Sequence, residues 1–145
     1  MTRKHMPYMV AVMSPFPYHV DIRAPVTQAA DLMREHGIRH LAVMDGSVLE
    51  SIISERDIER THTPGHLDQE THLLVGDICP QRAFVADISD PLDRILDVMA
   101  EKRLGAVLVT KDGELVGIFT SADAFARYAE LLREHFDDTP GNEAA

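Results

Sequence analysis

Two stretches of the chain share one pattern of apolar and polar positions: "HLAVMDGSVLESII" (40–53) and "AVLVTKDGELVGIF" (106–119). Each is a pair of apolar runs split by an Asp-Gly dipeptide, Asp45-Gly46 and Asp112-Gly113. That dipeptide favours a tight hairpin turn, so each stretch predicts a β-hairpin. Ahead of each hairpin the apolar period lengthens to three and four. Val26, Ala29, Ala30 and Met33 share one helical face, as do Leu92, Ile95, Leu96 and Met99. Pro25 and Pro91 precede these helices, and Gly37 suits the left-handed end of the first. A short extended piece (19–22; 84–86) leads into each helix, and a second helix (55–61; 121–136) follows each hairpin.

The pattern is an internal repeat. At an offset of 66, Pro25 falls on Pro91, Asp31 on Asp97, Met33 on Met99, Glu35 on Glu101, Val43 on Val109, Leu49 on Leu115, Ile52 on Ile118 and Asp57 on Asp123. Residue frequencies would give about two such identities by chance. Upstream the register reads as slipping by one, with "VMSP" (12–15) against "DICP" (77–80). Each unit is then β-α-β-β-α. The expected boundaries are 6–62 and 75–136, with a polar linker at 63–74 and a disordered tail at 137–145. About 60 residues make a small core, so the two units are expected to pack sheet to sheet in one α+β fold.

Composition adds exclusions. The 145 residues are 45% apolar and 26% charged, ordinary for a globular protein. No apolar run approaches the roughly 20 residues that span a bilayer. The opening "MTRKHMPYMVAVMSP" has too short an apolar run for a signal peptide. Cys79 is the one cysteine, so no internal disulfide forms, and a cytoplasmic location is expected. A net charge of −10 argues against broad nucleic-acid binding. A small anionic ligand needs only a few local donors.

Candidate chemistry lies where each hairpin meets its second helix, at "SIISERDIE" (51–59) and "GIFTSADAF" (117–125). Ser54 and Asp57, like Thr120 and Asp123, have the spacing of a capping box. The same geometry suits a nucleotide. A helix N-terminus and hydroxyl receive phosphate, an Asp one turn in offers acceptors to a ribose diol, and Ile52-Ile53 or Ile118-Phe119 flank a base.

"LVGIFTSAD" (115–123) carries the apolar-Gly-apolar-x-Ser/Thr-x-x-Asp signature of CBS domains, and the chain resembles that family over roughly residues 6 to 136. "LESIISERD" (49–57) fits except that Ser51 replaces the glycine, which puts bulk beside that cleft. Two units in tandem are called a Bateman module, with two clefts related by a pseudo-twofold axis. The resemblance implies regulatory binding of AMP, ADP, ATP (with Mg2+) or S-adenosylmethionine. It places Thr120, Asp123, Ile118 and Ala122 in one cleft with Ser14, Tyr18 and His19 of the other unit. It places Ser54 and Asp57 in the second with Arg82 and Phe84. Arg39 and His40 stand where phosphate contacts occur in the family, and Gly105 and Ala106 take those places in the second unit. Arg56 and Arg82 add charge. A homodimer and an unnamed regulated partner are further implied.

Two readings compete. In one the pairs only cap helices and the chain is an interaction scaffold without ligand. In the other the histidines or Cys79 make it metal- or redox-responsive. His62, His66 and His72 have no ligand spacing that specifies a site, and Gly37 separates His36 from His40. No P-loop, metalloprotease or serine-hydrolase pattern occurs, so no enzymatic activity is expected. On the last helix Phe125, Tyr128, Ala129, Leu132 and Phe136 form an apolar stripe. Core packing is expected for its first part and a dimer contact for the rest.

Overall fold

The computed structural model describes residues 4–62, 72–80 and 83–136. Most of the expected linker, the expected tail and Arg82 lie outside these residues. Both hairpins form: β3 (His40–Asp45) with β4 (Val48–Ser54), and β6 (Ala106–Lys111) with β7 (Glu114–Thr120). Gly46, Asp112 and Gly113 take the positive φ that these turns need. Both hairpins carry an irregularity at the same place, after Val43 and after Val109. β2 (His19–Asp21) runs parallel to β3 and β5 (Val85–Asp87) parallel to β6. The crossovers are α2 (Val26–His36) and α5 (Leu92–Lys102). Gly37 ends α2 in the left-handed conformation, and Arg103 takes that conformation after α5.

The lead-in segments cross over. α1 (Met9–Val12) and β1 (Ser14–Pro15) come before the first half but join the second. β1 is the edge strand beside β7, Met9 N–H donates to the Asp90 carbonyl, and Leu92 N–H to that of Pro7. In mirror fashion α4 (Val75–Ile78) joins the first half: Val75 N–H donates to Ala24 and Val26 N–H to Leu73. Met9 and Val75 are both fully buried there.

This exchange keeps an offset of 66 throughout and corrects the slipped register. Met13 and Cys79 are equivalent: both are extended residues that end α1 and α4, and each N–H returns to the first carbonyl of its helix. Tyr18 and Phe84 accept from Ala42 and Leu108 in the same way. The slip arose from aligning Pro15 with Pro80, a likeness of residue type that the backbone does not follow.

Side-chain alternation divides each sheet. Leu41, Val43 and Ile53 face α2, α3 (Glu55–Glu59) and α4, while Val107, Val109 and Phe119 face α5 and α1. Ala42, Ala106 and Leu108 are buried on the opposite face, toward the other half. There β4 and β7 come together.

The last helix departs from expectation. None of α6 (Ser121–His135) is fully buried, and Phe125 and Tyr128 are 72% and 61% exposed. Core packing therefore does not account for the first part of its stripe. The helix leaves the sheet after Ala124, the last of its residues to pack against the core.

Candidate functional site

Between the halves lies one continuous cavity of about 1150 Å³ that both hydroxyl–carboxylate pairs line. Ser54 and Asp57 come from the end of β4 and the start of α3. Thr120 and Asp123 come from the end of β7 and the start of α6. On β4 and β7 the core takes Ile53 and Phe119, so alternation turns Ile52, Ser54, Ile118 and Thr120 toward the cavity. Ser14, Tyr18, Arg39, His40, Arg56 and Ala122 also line it.

Two expected residues do not. His19 is exposed on β2, outside the lining. Phe84 packs against the second core, with the Lys102 ammonium 5.4 Å from its ring centre. The equivalent pair in the first half is Tyr18 and His36, whose rings stack at 3.9 Å. Each half thus sets a lead-in aromatic on the last turn of its long helix, and only Tyr18 also reaches the cavity.

Both capping boxes are formed. Asp57 Oδ2 accepts from the Ser54 N–H at 2.8 Å, and Ser54 Oγ accepts from the Asp57 N–H at 3.1 Å. For Thr120 and Asp123 the corresponding distances are 2.9 and 3.2 Å. The pairs differ in what is left over. Ser54 Oγ also donates to Asp57 Oδ2, and Asp57 Oδ1 faces the Arg60 guanidinium at 3.8 Å. Thr120 Oγ1 donates to no other group among the described residues, and Asp123 Oδ1 accepts from none. Capping uses one carboxylate oxygen, so the second half keeps a free hydroxyl donor and a free acceptor side by side.

Ser51 does not crowd the cavity. It is buried on the core-facing side of β4, and its hydroxyl donates to the Pro80 carbonyl. Burial pushes the neighbouring Cys79 thiol's pKa up, so Cys79 is a neutral packing group. In the second half Gly117 stands where Ser51 does and Met13 where Cys79 does. A Cβ on Gly117 would overlap Met13. Small-with-large in one half and medium-with-medium in the other fill equivalent space.

Cations converge on the cavity. Arg39, Arg56 and Arg103 line it, and none is in an ion pair among the described residues. Arg103, like Phe16 and Arg60, lines the cavity without having been a sequence candidate. Its signal was the repeat itself: Arg103 is the counterpart of Gly37, at the left-handed turn beside the cavity.

His40 is more than half buried, and burial lowers its pKa from the usual 6.5. Asp57 and Glu55 oppose that shift and Arg39 reinforces it. Its ring lies on the Gly105 backbone, where a Cβ would come within 3.1 Å of Nε2. A folded-state pKa below the unfolded value means that acid favours unfolding. The contribution is whole above about pH 6.5 and is lost as pH falls through the folded value. His40→Gln is therefore expected to flatten the decline of melting temperature between about pH 7 and 5, read by thermal unfolding at matched ionic strength.

Among the described residues no group of three or more His, Cys, Asp or Glu side chains could share a metal ion, and no helix is long and apolar enough to cross a membrane. The family model for the CBS domain matches residues 10–61 and 75–130. Hypoxic response protein 1 of Mycobacterium tuberculosis is 32% identical over 111 residues, covering 76% of this chain and 74% of that protein. A solved structure of Hypoxic Response Protein I with two coordinated zinc ions is 30% identical with a TM-score of 0.70, covering 83% and 98%. The CBS domain pair of protein MJ0100, solved with 5′-methylthioadenosine and S-adenosyl-L-methionine, is 22% identical with a TM-score of 0.79, covering 88% and 99%. CBSX2 in complex with AMP is 21% identical with a TM-score of 0.72, covering 88% and 99%.

Proposed function

The chain belongs to the CBS-domain family, and on that premise we propose that it is a regulatory module whose cavity holds an adenosyl ligand: AMP, ADP, ATP or S-adenosylmethionine. The observation that carries this reading is the hydroxyl of Thr120 and the carboxylate oxygen of Asp123 that have no partner among the described residues, in a cavity that Arg39, Arg56 and Arg103 also line. Asp123 Oδ1 would accept from a ribose hydroxyl. The Thr120 hydroxyl would meet the ligand's phosphate or its equivalent, at the start of a 15-residue helix. The MJ0100 pair and CBSX2 supply the chemical precedent, since their structures hold such ligands. In the Ser54/Asp57 cleft the hydroxyl is already donated to Asp57 Oδ2 and the exposed Arg60 stands 3.8 Å from the second oxygen, which favours the Thr120/Asp123 cleft as the principal site. Arg56 and His40 serve the first cleft, and Mg2+ accompanies ATP if ATP is the ligand.

The module acts by binding rather than by catalysis. Occupancy bridges two halves that exchange their lead-ins, so it changes how they sit on each other. A partner that distinguishes the two states reads the signal. The exposed stripe of Phe125, Tyr128, Leu132 and Phe136 is the face for a second copy in a homodimer.

Thermal unfolding of wild type, Asp57→Ala and Asp123→Ala, with and without each ligand, tests the reading. Each variant loses a cap worth about 1 kcal/mol, so shifts are read against its own baseline. A ligand at about 100 times its dissociation constant should add about 2.7 kcal/mol to wild type. The shift should vanish in Asp123→Ala and persist in Asp57→Ala. A folded wild type that responds to none of the ligands leaves the interaction scaffold as the better reading.

A further inference from the structure

Gly105 lines the cavity from the second half without the positive φ that Gly37, Gly46 and Gly113 show. Its backbone would suit an ordinary side chain. What stands in the way is the His40 ring of the first half: a Cβ at Gly105 would lie 3.1 Å from Nε2 and 3.6 Å from Cε1. The missing side chain is thus the seat of the ring. Both sides of this contact are tied to a helix start. The Gly105 carbonyl accepts at 2.8 Å from the N–H of Ser121, the first residue of α6. The carbonyl of Arg39, next to His40, accepts at 2.8 Å from the N–H of Glu55, the first residue of α3. The repeat supplies no second copy of the contact. At the offset of 66, His40 falls on Ala106 and Gly105 on Arg39.

We propose that His40 is a proton-operated latch between the halves: its neutral ring, seated on Gly105, holds them together at the cavity, and protonation unseats it. The inference does not depend on which ligand the cavity takes. Charged groups surround the ring. Arg39 lies beside it at the start of β3, and Glu55 and Asp57 act on it from α3. Arg103 and Asp123 line the cavity from the second half, and Arg56, Glu59 and Arg60 from the first. Burial penalises the imidazolium most, and Arg39 adds to that penalty, while Asp57 and Glu55 oppose it. Both of these acids belong to the ring's own half. A proton therefore draws the ring toward α3 and away from the seam. Free in water the ring titrates near 6.5, and seated it titrates lower. The seated state is whole above about pH 6.5 and is lost as pH falls through the seated value. Because Gly105 is bonded to the first residue of α6, release is felt where Thr120 and Asp123 meet the cavity.

NMR of the full chain, titrated from about pH 8 to about pH 5, tests the latch. The His40 ring signal is the one lost in His40→Gln. In wild type the amides of 103–106 and 118–121 should titrate with the midpoint of that ring, below 6.5, and in His40→Gln they should be flat. Gly105→Ala is the mechanical counterpart. Its Cβ displaces the ring at any pH, so the His40 midpoint should shift up toward 6.5 and the amides of 118–121 should cease to follow it. A wild-type response confined to Gly105 and its chain neighbours is the field of the new charge alone and overturns the latch. So does a His40 midpoint that Gly105→Ala leaves where it was, because the ring is then held low by its own half. Amides of 118–121 that titrate alike in wild type and His40→Gln overturn it as well.

Discussion

Met9→Ala should cost about 2–5 kcal/mol of stability and should loosen the half of the molecule that lies farther along the chain. Met9 is fully buried, yet it sits on a four-residue helix near the N-terminus. Its cluster is made of Ile95, Met99, Val107, Val109 and Phe119. Truncation removes three heavy atoms from a closed core that α1 alone seals on that side. Amide exchange should show β5, β6 and β7 losing protection, since hydrogen bonds from Met9 and Val10 to Asp90 and Ile88 hold the lead-in against that half. Val75→Ala is the mirror experiment, with the loss moving to β2, β3 and β4. Exchange that rises only between residues 4 and 13 would mean that the lead-in is docked on the surface of a half that is stable without it.

How much of this could be read beforehand depended on where information was local. The hairpins, the long helices and the two cap pairs were legible because turn dipeptides, 3.6-residue periodicity and capping spacing are short-range patterns. Equivalences set by partners distant in sequence were not. Aligning Pro15 with Pro80 gave a slipped register because the backbone there is fixed by β7 and by the long helices of the other half. Ser51 looked like an obstruction because its size was visible and its direction was not. The strand's alternation turns it to the side of Ile53, where it is buried and its hydroxyl meets the Pro80 carbonyl. Phe84 shares a sequence place with Tyr18, but Lys102 and the second core hold it. Phe125 and Tyr128 fit a core-facing stripe by spacing alone, while the helix packs against the core no farther than Ala124. Arg103 was legible in principle, because the repeat that aligned Met33 with Met99 also aligns Gly37 with it.

Gly117→Ser tests the matching that holds β1, and with it Ser14 and Phe16, beside the principal cleft. The substitution gives the second half the residue that the first half has. A Cβ at Gly117 overlaps Met13 Sδ and lies 2.8 Å from its Cγ, so the Met13 side chain, next to β1, must move. Overpacking of this kind costs about 1–3 kcal/mol. The first half shows what accompanies a serine: the shorter Cys79, at the place that Met13 takes in the second half. Met13→Cys should therefore recover part of the loss in the Gly117→Ser background while destabilising wild type by leaving a void. That change of sign is a coupling between neighbours that a double-mutant cycle in urea measures directly. Full additivity would show that Met13 swings out at no cost and that size matching does not hold the lead-in. With coupling, ligand response should follow stability through the series, weakened in Gly117→Ser and partly restored in the double variant. The strand that Met13 anchors is the one that carries Ser14 to the cleft opposite Ile118, so the packing beneath the lead-in and the shape of the site above it are one structural problem.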